Sequence, residues 1–379
     1  MMIDKTQISG KRFMFTVAYF IQSSILLTSF TLSLTRQDSW LTVIFSFTLF
    51  LPMIWVYRTI MVQFPDKNLI QVLETVFGKF VGKLIGIGFT WFFLNLTTLN
   101  LRDLGVFTII TVMTDTPLIV LAIMCMFVAV YSVRKGINVV CRYSAAFTTL
   151  QITIIIISIF LVFDQAKFNN FLPIFDQPQL NYLQGVHVMS TIPFGELVVL
   201  LMLTPNIRMD KKLVAKYWYI GFAIGGVSFL LVMLREISVL GNLAHLFSLP
   251  SLTTFRLIHV GTIFNRIEIL FAMALILLLT FKVVFLTYVT VLTIAQIMEL
   301  ENFENLCAVI GLLIVPLVIT IYPNSIENQT SGQQVVPFIW MIFEIVLPIF
   351  ILIVAAVKNL PKQKPKTTPI KQPQKNENN

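Results

Sequence analysis

Charged residues are scarce in this chain. They make up 12% of 379 residues, against 57% hydrophobic. A soluble chain carries about twice that charged fraction, so a water-soluble globular domain is excluded. Cysteine and histidine are rarer still, three of each. Cys125, Cys141 and Cys307 form no CxxC pair and sit in apolar surroundings, which marks them as reduced packing residues and not as a metal or redox centre. His245 and His259 match no common zinc spacing. No Ser/His/Asp arrangement, metal-ligand spacing or phosphate loop falls within the apolar runs. An enzyme is therefore not expected, and neither is a metal or a cofactor. A small-residue cleavage site after the first apolar run is also missing, and that run is too long for a signal sequence, so it is expected to be a retained span.

What the chain does have is apolar runs of bilayer length. A helix needs about 20 such residues to cross hydrocarbon. Ten spans are predicted, at 13–34, 40–62, 84–107, 117–133, 144–163, 185–204, 217–240, 267–295, 306–322 and 335–357. The fold class is all-α integral membrane, with a polar cytoplasmic N-terminus (1–12), one transmembrane domain (13–357) and a tail (358–379). The formal charge is +9, but its placement does not suit nucleic acid. One side of the predicted spans carries Lys5, Lys11, Arg12, Lys67, Lys79, Lys83, Arg134, Lys135, Arg142, Arg208, Lys211, Lys212, Lys216 and the Lys-rich tail. The other carries Arg36, Lys167, Arg256 and Arg266. The positive-inside rule puts both termini in the cytoplasm. The loop with Glu299, Glu301 and Glu304 points the other way, but acidic residues weigh little in that rule. The tail has little apolar content after Leu360 and is expected to be disordered, its lysines suited to anionic lipid headgroups.

Polar residues inside the spans are costly and point to function. In span six, Pro193 lacks an amide hydrogen and Gly195 is a weak helix former, so the helix should open at membrane depth, beside the carboxyl of Glu196. This is either a kink with a hydrogen-bonded neutral acid or half of a midplane ligand site built from discontinuous helices. Span one, its counterpart if the chain has two five-helix halves, carries Gln22, Ser23 and Ser24, which serve interhelical bonding or the other half of that site. In span three, Asn95 and Thr98 share a face at i, i+3, while Arg102 and Asp103 lie where side chains can snorkel. Lys282 lies mid-span in span eight, fourteen residues from Glu268, or roughly 21 Å along a helix. It needs another partner, faces water or loses its proton; Glu196 is the preferred partner, as a structural ion pair or as a gating or ligand-contacting pair. Glu344 in span ten has no partner that the sequence names, and Arg58 and Arg235 are expected to snorkel. Between spans two and three, the spacing of Leu69, Val72, Leu73 and Val76 in the stretch to Lys83 predicts a short amphipathic helix at the cytoplasmic interface, with a solvated loop as the alternative.

Taken in order, a set of residues resembles the B subunit of nutrient germinant receptors, the GerAB-type spore germination permeases, over about residues 8–357. The marks are Phe64 and Pro65; Gly78, Lys79, Gly82 and Lys83; Arg102; Thr116 and Pro117; Gly136, Ile137 and Arg142; Leu172 and Pro173; Pro193, Phe194, Gly195 and Glu196; Arg266, Ile267 and Glu268; and Lys282. The resemblance implies a fold similar to amino acid–polyamine–organocation transporters, a LeuT/APC-like 5+5 inverted repeat with helices one and six broken. It implies residence in the spore inner membrane, assembly with A and C receptor subunits, and recognition of a small-molecule nutrient such as an amino acid. By position, the ligand site it implies holds Gln22, Ser23 and Ser24; Phe92, Asn95, Leu96 and, on the shared face, Thr98; Pro193, Phe194, Gly195 and Glu196; and Lys282 with Leu286. The chain departs from many relatives in having Gln22, Ser23 and Ser24 where they have small glycines, which puts an α-amino acid ligand in question. A sensor without chemistry, a secondary transporter with Glu196 as proton carrier, and a ligand-opened conduit remain the competing functions.

Overall fold

The computed structural model describes residues 7–207, 210–257, 268–300 and 303–361. Lys5, Arg208, His259, Arg266, Ile267, Glu301 and the basic tail from 362 onward lie outside them. Each of the ten expected apolar runs is helical among the described residues. Span one is Gly10–Gln22 and Thr28–Thr35, span two Ser39–Gln63, span three Lys79–Thr111, span four Leu118–Arg134 and span five Ile137–Leu161. Span six is Gln179–Asn206, span seven Lys211–Leu240, span eight Glu268–Ile297, span nine Glu304–Thr320 and span ten Val336–Val357. The nearly unbroken helix Gly10–Gln63 has 54 residues, far more than one crossing needs. Arg36, at φ 46°, reverses the chain between its two passes.

Several helices outrun their apolar stretch. Span three starts at Lys79 and span five at Ile137, because Lys83 and Arg142 can remain helical while their heads reach the headgroup layer. The helix between spans two and three is shorter than expected. An Asn68–Gln71 capping box starts it and Gly78, at φ 89°, ends it, giving Leu69–Phe77. Its apolar residues Leu69, Val72, Leu73 and Val76 are buried. They pack under span three, not against lipid.

The packing has an internal symmetry. Span one lies along span seven as span six lies along span two, and span one meets span five as span six meets span ten. Span eight packs on span four as span three packs on span nine. Spans three and eight, two and seven, and four and nine pair with each other. Exchanging spans one to five for six to ten therefore leaves these pairings unchanged. Since span one and span six run in opposite directions, the two halves form an inverted repeat. The connecting helices obey the same rule: Leu69–Phe77 lies on the face that carries Ile8 and Lys358, and Pro250–Arg256 on the far face.

Candidate functional site

Both discontinuous helices lose their α winding at the same depth. In span one, the amide of Ser24 bonds the carbonyl of Ile21 at 3.0 Å, and Leu27 that of Ser24 at 2.9 Å, so a 3₁₀ turn over Ile25–Leu27 replaces α winding. Ser23 Oγ donates to Phe20 O at 2.7 Å, local competition that favours such a break. In span six, Gln179–Met189 is α-helical, Ile192 leaves helical geometry at φ −117°, ψ 101°, and Gly195–Asn206 continues as a tighter 3₁₀ helix. The Ile192–Pro193 bond is cis.

The two breaks meet at Lys282. Its Nζ lies 2.5 Å from Glu196 Oε2 and donates to Ser24 Oγ at 2.7 Å. The ring of Phe20 lies under it, 5.0 Å from centroid to nitrogen. One ammonium group thus ties span one, span six and span eight together. Lys282 and Glu196 are 0% and 1% exposed. A buried charge needs a partner, and here each has the other. Tyr19 adds a second tie between spans one and eight, its hydroxyl 2.9 Å from Leu278 O.

A second acid stands beside the pair. Glu344 is fully buried in a local π turn of span ten, Ile342–Val346. Its carboxylate touches Gly195, where any Cβ would collide with Oε2. Neither carboxylate oxygen has a hydrogen-bond partner among the described residues. The Tyr57 hydroxyl reaches the carbonyls of Glu344 at 2.6 Å and Gly195 at 3.3 Å, tying the span-six and span-ten irregularities to span two.

Of the residues expected in the site, Ser24 and Glu196 both contact Lys282, with Gly195 adjoining through Glu344. The others lie around or away from that contact. Gln22 Nε2 donates to Ser228 in span seven at 2.9 Å, leaving its Oε1 unpartnered. Phe92 stacks on Phe343 at 5.3 Å and meets Trp340 edge-on. Leu96 and Leu286 are buried apolar packing. Phe194 points toward spans two and seven, into Phe47, Phe50 and Phe222. Asn95 and Thr98 spend their side chains on their own helix, at Trp91 O and Leu94 O, and Asn95 is half-buried. Neither side chain hydrogen-bonds to another helix or to Lys282 among the described residues.

Two snorkelling expectations are corrected. Arg102 is buried and donates to Val318 O at 2.8 Å. Arg235 is buried too, bonding Ser158 at 2.7 Å and Ser251 at 3.0 Å beside Glu236, with Phe255 under its guanidinium. Glu236 itself accepts from Ser251. This cluster fastens the Pro250–Arg256 helix to spans five and seven. Glu236 was findable from sequence by the same rule that singled out Glu196, an acid inside an apolar run. Phe20 and Tyr57 were not, being two aromatics among many.

On the face that carries the termini, Glu299 takes salt bridges from Lys79 at 2.8 Å and Lys83 at 2.6 Å. Those two bonds hold its carboxyl down, at about 2. Glu299, the first acid of the loop that runs against the charge rule, is thus the local counter-charge of the span-three lysines.

Comparison with known proteins gives concordant results. The spore permease family model, described as spore germination protein, matches residues 7–329. The chain is 29% identical over 373 residues to spore germination protein KB of Bacillus subtilis (strain 168), which covers 96% of this chain and 98% of that protein. It is 21% identical over 318 residues to spore germination protein B2 of the same organism, covering 83% and 85%. Among solved structures, Mhp1, a nucleobase-cation-symport-1 family transporter in a closed conformation with bromovinylhydantoin bound, aligns with a TM-score of 0.66 at 12% identity, over 90% of this chain and 79% of that one. The manganese transporter of Eremococcus coleocola aligns with a TM-score of 0.56 at 10% identity, over 94% and 81%. At such identities the likeness is one of fold.

Proposed function

The chain belongs to the spore permease family of spore germination proteins, and from that premise we propose that it senses a small nutrient in the midplane between spans one, six and eight. In this reading it is the B-type subunit of a germinant receptor, sits in the spore inner membrane with both termini in the cytoplasm, and works with A and C subunits. The observation that carries it is the single contact in which Lys282 joins Ser24 to Glu196. A metabolite with an acceptor group and a donor group can replace both halves of that contact, the acceptor at Lys282 and the donor at Glu196. Replacing it uncouples span one from span six. The free energy available is the ligand's differential affinity for the coupled and uncoupled packings. The serines of span one offer hydroxyls in place of bare amides, which suits neutral nutrients as well as amino acids.

The likeness in fold to transporters supports a second reading, in which the same exchange moves the nutrient across the membrane with Glu196 as proton carrier. Purified protein in sealed vesicles separates the two. Amino acids, sugars and nucleosides are screened by thermal shift, and a stabilising solute is then offered in labelled form. Binding without accumulation supports the sensor. Saturable accumulation by this chain alone overturns it in favour of the transporter.

A further inference from the structure

A recess of about 130 Å³ opens on the far face, away from the Ile8 and Lys358 side. Its floor is Leu26 and Leu27, the 3₁₀ turn of the span-one break, and its walls come from spans one and three, the segment after span seven and the helix Ser325–Gln334. Among the described residues Asp103 is the sole charged one lining it, set among Ser29, Ser248, Ser325, Asn328 and Gln329. Asn328 Nδ2 donates to Asp103 Oδ1 at 3.0 Å and orients the carboxylate. The neighbouring Arg102 donates to Val318 O and makes no salt bridge to Asp103 among the described residues, although its charge still acts on the carboxylate from nearby. Asp103 is half-buried and lines the recess.

We propose that this recess is a second, outer binding site, selective for small solutes that bear a primary ammonium group. A carboxylate oriented through one oxygen leaves the other to accept from an ammonium, which donates in up to three directions. The hydroxyls and amides of Ser29, Ser248 and Gln329 suit the two remaining donors, while Leu249, Phe107 and Ile110 suit a short apolar stem. A carboxylate ligand is disfavoured by like charge. An occupant rests on Leu26 and Leu27, against the span-one break, so the site can bias that break without reaching Lys282. The site is distinct from the midplane contact, and its failure leaves the nutrient-sensing reading standing.

The test is thiol labelling of the full chain at about pH 7.5. Ser248→Cys is introduced into a background carrying Cys125→Ala, Cys141→Ala and Cys307→Ala. The rates of a cationic, an anionic and an uncharged methanethiosulfonate are compared. One fixed negative charge at this distance predicts that the cationic reagent outpaces the anionic one by about tenfold at low salt. Asp103→Asn keeps the acceptor for Asn328 and should bring the ratio to about one, with the uncharged reagent unchanged as the check on folding. Ethanolamine should protect the introduced thiol, and ethylene glycol and glycolate should not. Asp103→Asn should remove that protection, whereas Glu196→Gln should leave it intact. A ratio near one before the substitution, protection by all three solutes alike, or protection that survives Asp103→Asn overturns the proposal.

Discussion

At the residue scale, Lys282 and Glu196 are each other's condition for being charged inside hydrocarbon. Removing one member of a buried pair leaves the other uncompensated, a loss of roughly 3–5 kcal/mol, while replacing both by neutral groups of similar size is often neutral. Lys282→Met and Glu196→Gln should therefore each lower the unfolding midpoint in detergent, and the double substitution should recover most of the loss. Nutrient response should be absent in all three, because the exchangeable contact is gone in each. A wild-type response at normal protein levels in either single variant would remove the pair from the sensing step. Gly195 is a second sensitive position, for a steric reason. A methyl group there runs into Glu344 Oε2, and overpacking of this kind costs about 1–3 kcal/mol. Gly195→Ala should be destabilising, and Glu344→Ala in the same chain should give back most of that loss. An additive double variant would mean the two side chains do not meet.

At the element scale, the close packing of span one on span seven depends on two glycines one turn apart. A Cβ on Gly221 would stand 2.8 Å from Val17 Cβ, and one on Gly225 2.8 Å from Ile21 Cβ. Span seven thus uses a Gly-x-x-x-Gly face to let span one approach backbone to backbone. Gly225→Val should push span one off span seven and destabilise the chain by about 1–3 kcal/mol. Gly226→Ala, which meets only the ring of Phe47, should be milder, and equal midpoints for the two would sink the argument. This face also shows what a sequence can and cannot disclose. Ten passes were legible because bilayer thickness writes itself directly into run length. The span-six break was legible because Pro193 and Gly195 are local signals, and the Lys282–Glu196 pair because lone opposite charges in hydrocarbon have few choices. The Gly195–Glu344 and Arg235–Ser251 contacts join residues from different elements through packing, and no local pattern carries that. Arg102 and Arg235 were misplaced for the same reason, since nearness to a span end does not reveal a buried acceptor on another helix. At the start of span three, Lys79 and Lys83 keep Glu299 ionised down to about 2, against an ordinary value of 4.5. An acid depressed in the fold stabilises above its unfolded value and loses that contribution as pH falls through its folded one. The difference in midpoint between wild type and Glu299→Gln should be small, as for any exposed pair. It should stay constant above about pH 4.5 and shrink below it, a trend thermal scans across that window would read.

At the scale of the whole molecule, the inverted repeat makes the two faces equivalent in principle, and the structure sets them in different states. On the face with the termini, Ile8 is fully buried and pairs with Ile207, its amide bonding Asn206 O at 2.8 Å. The chain before span one is thereby stitched to the end of span six, across the direction in which those two helices would have to part. On the far face, a recess reaches the span-one break. The molecule is closed below the midplane contact and indented above it; in the proposed reading this is one of the two packings that uncoupling of spans one and six interconverts. If nutrient binding at Lys282 works by freeing span one from span six, the Ile8–Ile207 seam has to open on the side of the termini. Neighbouring backbones in such a bridge lie about 4.8 Å apart, within the 4.4–6.8 Å or so that a disulfide spans. Ile8→Cys with Ile207→Cys should therefore cross-link under oxidation. The oxidised form should still bind the stabilising solute in a thermal-shift assay, since the midplane residues are untouched, yet give no germination response until reduced. A cross-linked chain that responds normally would mean that the signal leaves the midplane by another route, with the seam closed throughout.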